Sequence, residues 1–157
     1  MIKQSNHRQG LITALSALIP AAQTETHAVD EAASIRLRIN QTDLRCLGTI
    51  LDLGPLSASK LAESVRLTRA AMTTALDRLE KAGFIRRLHD LHDRRGINVE
   101  ATPAAQKAVR EIWEPIRIDG LVFLEKYSDE DLELLSQFFE EYCALQRDHT
   151  QRIRRLK

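Results

Sequence analysis

Residues 56–83 read LSASKLAESVRLTRAAMTTALDRLEKAG, and this stretch decides the fold. Ser57 and Thr68 each stand just before an apolar period of three and four. A hydroxyl there accepts a bond from a free backbone N–H of the first turn, which makes it a helix start. The spacing therefore predicts one helix from Ala58 to about Val65, a turn at Arg66-Leu67, and a second helix from Thr68 to Ala82 that stops at Gly83. Leu61 and Val65 face inward on the first, and Met72, Ala75, Leu76 and Leu79 share one face of the second. At about 100° per residue, Arg69, Ala70, Thr73, Thr74, Asp77 and Arg78 cover the opposite side.

Upstream, Asn40-Gln41-Thr42-Asp43 reads as another helix start, with Asn40 as the cap and Asp43 reaching back to it. That helix carries Leu44, Leu47, Ile50 and Leu51 and ends at Gly54-Pro55. Before it, residues 8–37 place Leu11, Leu15, Leu18 and Ala22 on one helical face; Pro20 predicts a kink or two abutting helices. Downstream, Phe84-Ile85-Arg86-Arg87-Leu88 begins as a short strand. A polar loop through Gly96 follows, and Ile97, Val99 and Ala101 alternate with Asn98 and Glu100 as a return strand. Thr102-Pro103 opens a long helix bearing Val109, Ile112, Trp113, Ile116 and Leu121, with a bend expected at Pro115. Ser128-Asp129-Glu130-Asp131 opens the last, whose stripe is Leu132, Leu135, Phe139 and Tyr142.

The expected fold is mainly α with a small β-hairpin wing: a winged helix-turn-helix over 40–103 with a helical dimerisation frame from both termini, 1–39 and 104–157. A major groove about 12 Å wide accepts one α-helix, provided that its outward side chains are small or hydrogen-bonding. On this reading Thr73 and Thr74 meet base edges or a thymine methyl, and Ala70 keeps the helix close. Arg69 and Arg78 reach bases or phosphates, and Asp77 lies on the same face. Ser57, Ser59 and Lys60 start the preceding helix and suit phosphate, through hydroxyls and free N–H groups. Arg94 and Arg95 at the hairpin tip suit the minor groove or its backbone.

Together the stretch 56–83, the preceding Asn40 through Leu47, and the wing from Arg86-Arg87 through Asp93-Arg94-Arg95-Gly96 to Thr102-Pro103 resemble the MarR family of bacterial regulators. The wing matches that family's D-x-R…T signature. Ala101 and Ala104 stand where the family usually carries Leu and Gly, positions that concern packing near the start of the long helix. The resemblance implies a homodimer joined by the first and last two helices, palindromic double-stranded DNA sites, and repression relieved by a small aromatic or phenolic effector. It also implies that Asp93 orients Arg95 toward the minor groove.

The bulk numbers agree. The chain has 157 residues, 43% of them hydrophobic and 29% charged, which suits a soluble regulator of one domain. There is neither a secretory leader nor an apolar run near the 20 residues or so that a membrane helix needs, so the cytoplasm is the expected location. A net charge of +1 conceals nine Lys/Arg against five Asp/Glu over 57–95, and nine against twelve over 96–157. A basic middle points to a polyanion there.

Neither a Gly-rich nucleotide loop nor a zinc-protease motif is present, so no enzyme, cofactor or metal is expected. His89 and His92 sit in the hairpin loop, which offers no rigid ligand geometry. Cys46, one residue before core Leu47, reads as a buried inert thiol, with a redox-sensing regulator as the alternative. Cys143 is expected at the dimer interface. His27 and Trp113 are candidates for an effector crevice, beside the plainer readings of a surface His and a core Trp. The other alternative is a winged-helix interaction module without DNA binding.

Overall fold

A computed structural model describes residues 2–89 and 97–156, with the side chains of 2–5, His89 and Ile97 left aside. The elements follow the order α1 (Ile2–Leu37), α2 (Gln41–Leu53), β1 (Leu56–Ser57), α3 (Ala58–Ser64), α4 (Arg69–Lys81), β2 (Ile85–His89), β3 (Ile97–Ala101), α5 (Pro103–Leu124) and α6 (Asp129–Arg155). No helix among the described residues is long and apolar enough to cross a membrane.

Local chemistry places the boundaries. The side chains of Asn40, Ser57, Thr68 and Ser128 accept from Asp43 N, Lys60 N, Ala71 N and Asp131 N, capping α2, α3, α4 and α6. Each such cap contributes about 1 kcal/mol. At Ser128 the capping box is complete, with Asp131 returning a bond to the Ser128 backbone. Gly54 (φ 74°) ends α2 and Gly83 (φ 76°) follows α4, both in the left-handed region where a side chain is strained. Two expectations change. α1 is one unbroken helix through Pro20 rather than two abutting helices, and Asp43 does not reach back to its cap but points across to α4.

The wing is a three-stranded antiparallel sheet of order β1-β3-β2, not a lone hairpin. Leu56 lies opposite Val99, so the segment just before the Ser57 cap supplies an edge strand. Two residues are too few to show a period, which is why the sequence reading gave Ser57 a cap and a phosphate role but no strand.

The chain divides into two compact units, Met1–Ile112 and Trp113–Lys157. The core of the first comprises Cys46, Leu47 and Ile50 of α2, Leu61 and Ala62 of α3, and Met72, Ala75, Leu76 and Leu79 of α4. Leu56, Val65, Ile85, Val99 and Ala105 complete it. The helical periods of α2, α3 and α4 thus turn their apolar faces onto one another, burying the positions that the sequence pattern assigned inward except Leu51, which is half-buried. In the second unit, α6 has no buried residue, and Ile116, Leu121, Val122, Phe123, Leu134, Phe139 and Leu145 are exposed large apolar side chains.

Candidate nucleic-acid interface

α4 supplies the centre of the site. With Met72, Ala75, Leu76 and Leu79 buried, the helix cannot turn about its axis without exposing them, so its other face is fixed outward. Arg69, Ala70, Thr73, Thr74, Asp77 and Arg78 are all exposed on that side. The Thr73 and Thr74 hydroxyls donate to Arg69 O at 3.0 Å and Ala70 O at 3.1 Å. This satisfies their protons within the helix, so what each side chain presents outward is an acceptor oxygen and a methyl group.

α3 contributes exposed Ser59 and Lys60 beside half-buried Ser57. Ser57 Oγ already accepts the Lys60 N–H at 3.3 Å, so that amide, expected to be open to phosphate, is capped from within.

Three arginines of the basic middle are engaged inside the protein. Arg78 Nε and Nη2 donate to Asp43 Oδ2 and Oδ1 at 2.8 and 2.6 Å, a two-pronged pair with a carboxylate that is 2% exposed. The hydrogen bond to Asp43 raises the Arg78 pKa above the ordinary arginine value; burial opposes it, and the Asp43 charge adds a smaller upward push. Arg87 reaches Glu80 at 2.6 Å and Asp77 at 2.5 Å. Strand alternation explains that reach: Arg87 lies opposite Val99 and two residues from Ile85, on the face turned to the core. Arg86 takes the other face, where it pairs with its cross-strand neighbour Glu100. The remaining described basic residues of the middle, Lys60, Arg66, Arg69 and Lys81, are exposed.

Sequence reading missed two further scaffold contacts. Arg45 Nη2 donates to Val65 O at 3.2 Å, on the last turn of α3, next to Arg66 at φ 57°. Thr102 Oγ1 donates to Gly83 O at 2.7 Å and accepts from Ala105 N at 3.2 Å, linking the end of α4 to the start of α5. Neither residue stands in an apolar period; Thr102 was legible as a helix start, which its bond from Ala105 N matches, but its reach to Gly83 and that of Arg45 to Val65 were not. Asp43 was hidden differently, since its place three residues after Asn40 mimics a capping box.

Asp93, Arg94 and Arg95, with His92, lie outside the described residues. His27 is exposed on α1, and Trp113 is half-buried on α5. Cys46 is fully buried, and burial pushes its thiol pKa up; Asp43 adds to that rise, while Arg45 and Arg78 pull against it. Cys143 is exposed in the single chain. Among the described residues no group of His, Cys, Asp and Glu could hold a metal ion.

Comparison with known proteins bears on this arrangement. The MarR family matches residues 39–97, which span α2 to the start of β3. The chain is 28% identical over 131 residues to an uncharacterised HTH-type transcriptional regulator, YcgE of Bacillus subtilis, covering 83% of this chain and 85% of that one. Among solved structures it is similar to NadR in complex with 4-hydroxyphenylacetate, at 25% identity and a TM-score of 0.62, covering 80% and 89% of the two chains. It also shares the fold of a MarR family transcription regulator at 18% identity and a TM-score of 0.69, over 97% and 98%.

Proposed function

The chain belongs to the MarR family of transcriptional regulators, and from that premise we propose that it binds double-stranded DNA as a homodimer with α4 in the major groove. One observation carries the reading: α4 has a wholly buried apolar face and, opposite it, a face of small and hydrogen-bonding side chains. A helix of about 10–12 Å across its side chains fits a groove of about 12 Å only when the outward face is of that kind.

In this proposal Thr73 and Thr74 contact base edges, Ala70 sets the close approach, and Arg69 reaches a base or phosphate. Ser59 and Lys60 bind the backbone, with Ser57 holding the first turn of α3 in place. The wing residues Arg94 and Arg95, oriented by Asp93, take the minor-groove role that the family resemblance gives them. The exposed apolar residues of α1, such as Leu11, Ile12, Leu15 and Leu18, and those of α5 and α6 favour a partner copy that covers them. Repression relieved by a small aromatic or phenolic effector is the mode we assign, supported by the complex of NadR with 4-hydroxyphenylacetate.

An electrophoretic shift with the DNA upstream of the protein's own gene tests the proposal. A shifted band that resists excess scrambled duplex supports it. No shift at micromolar protein and low salt rejects DNA binding in favour of an interaction module.

A further inference from the structure

We infer that Asp43 and Arg78 form a positioning pair that sets the pose of α4 on α2, and that Arg78 serves DNA recognition through this pair rather than by touching the duplex. The inference rests on the DNA-binding reading above. It departs from the sequence expectation that placed Arg78 among the contacts.

The geometry carries it. Arg78 is four residues past Thr74, one turn beyond the candidate base contact and on the same side of α4. Its Nε and Nη2 form one of the two guanidinium edges that can fork a phosphate or a guanine, and both are given to Asp43. Asp43 is buried on α2, 35 residues away in sequence, with its N–H held by Asn40 at 2.8 Å.

α2 gives Leu47 and Ile50, and α4 gives Met72, Leu76 and Leu79, to the shared apolar core, side chains that resist separation but tolerate small slides. Two parallel directional bonds do not tolerate them, so the pair fixes the axial register and rotation that the core leaves soft. Two residues along α2, Arg45 holds the end of α3 through Val65 O. α2 thus grips both helices of the motif, and the turn between them is left to follow.

The test compares parent, Asp43→Asn, Arg78→Lys, Arg78→Gln and the double variant Asp43→Asn/Arg78→Gln. Each is titrated with a duplex selected by the parent and a scrambled one, across several salt concentrations, below the onset of melting followed by circular dichroism. Buried Asp43 has no route to DNA, yet Asp43→Asn should lower the ratio of cognate to scrambled affinity roughly 5- to 50-fold. Arg78→Lys, which keeps the charge but loses the fork, should lower it similarly. The double variant, whose amides can bond to one another, should recover part of the loss. Salt slopes should match the parent throughout, because no phosphate contact is removed.

A slope reduced by about one unit in Arg78→Gln, with the ratio intact in Asp43→Asn, overturns the inference and makes Arg78 a phosphate contact. Should Asp43→Asn fail to fold, an unchanged ratio in Arg78→Lys alone overturns it. A parent that binds no duplex refutes the DNA-binding reading itself, and the inference falls with it.

Discussion

Thr74→Ala is the substitution whose outcome follows most directly from the geometry of α4. The Thr74 hydroxyl is bonded to Ala70 O, and its side chain is exposed, so no core contact is lost with it. Ala is the better helix former by about 0.5 kcal/mol, so the fold should be unchanged or slightly more stable. On DNA the balance is opposite. Removing an acceptor and a methyl from a base edge costs on the order of 1–3 kcal/mol, or about 5- to 150-fold in Kd on the cognate duplex. A scrambled duplex should bind as before, with an unchanged salt slope, since no positive charge is lost. Fluorescence anisotropy on both duplexes across a salt series, beside a melting curve, reads all of this. Thr74→Val, which keeps the methyl, then tells whether the oxygen or the methyl carries the effect. Equal weakening on both duplexes, or a loss matched by a fall in melting temperature, would refute the reasoning.

Three further outcomes follow. Leu79→Ala opens a cavity at a fully buried position of α4 and should cost about 3–5 kcal/mol in urea denaturation at fixed protein concentration; a loss under 1 kcal/mol would mean that the α4 face is not the core. In a Cys143→Ser background, Cys46 should resist a thiol reagent at neutral pH until the protein unfolds, since it is buried and its pKa is raised. That raised pKa favours the folded state below the ordinary thiol value and the advantage is lost as pH climbs past it, so relative to Cys46→Ala the parent should lose stability on the alkaline side. Peroxide-driven release from DNA that vanishes in Cys46→Ser would promote the redox reading instead. Light scattering at micromolar concentration should give a dimer, because α1 and α6 leave so many large apolar side chains uncovered in one chain; a monomer contradicts this.

Much of the lobe was legible because its signals are periodic. The steps of three and four in Leu44, Leu47 and Ile50, and in Met72, Ala75, Leu76 and Leu79, map directly onto buried faces. The caps at Asn40, Ser57, Thr68 and Ser128 mark the helix starts, as local hydrogen-bonding chemistry requires. Contacts that join distant segments left no such trace. The Asp43–Arg78 pair spans 35 residues, and Arg45 meets a backbone oxygen 20 residues on; neither pairing has a period. Arg87 is an instructive intermediate. Its alternation with Ile85 turns it inward, yet the sequence reading counted it only as one of the nine positive charges of the basic middle, which its carboxylate partners Asp77 and Glu80 offset. The local excess of positive charge was therefore a cruder guide than its count suggested, since Arg78, Arg86 and Arg87 are matched within the lobe.

The central claim is that two copies of this chain set two α4 helices into successive major grooves on one face of the DNA. Selecting bound duplexes from a random pool with the full-length protein tests it most directly. The expected product is a palindrome whose half-site centres lie about 10 base pairs apart, one helical turn. An asymmetric consensus, a palindrome with no preferred spacing, or no enrichment at all would contradict it.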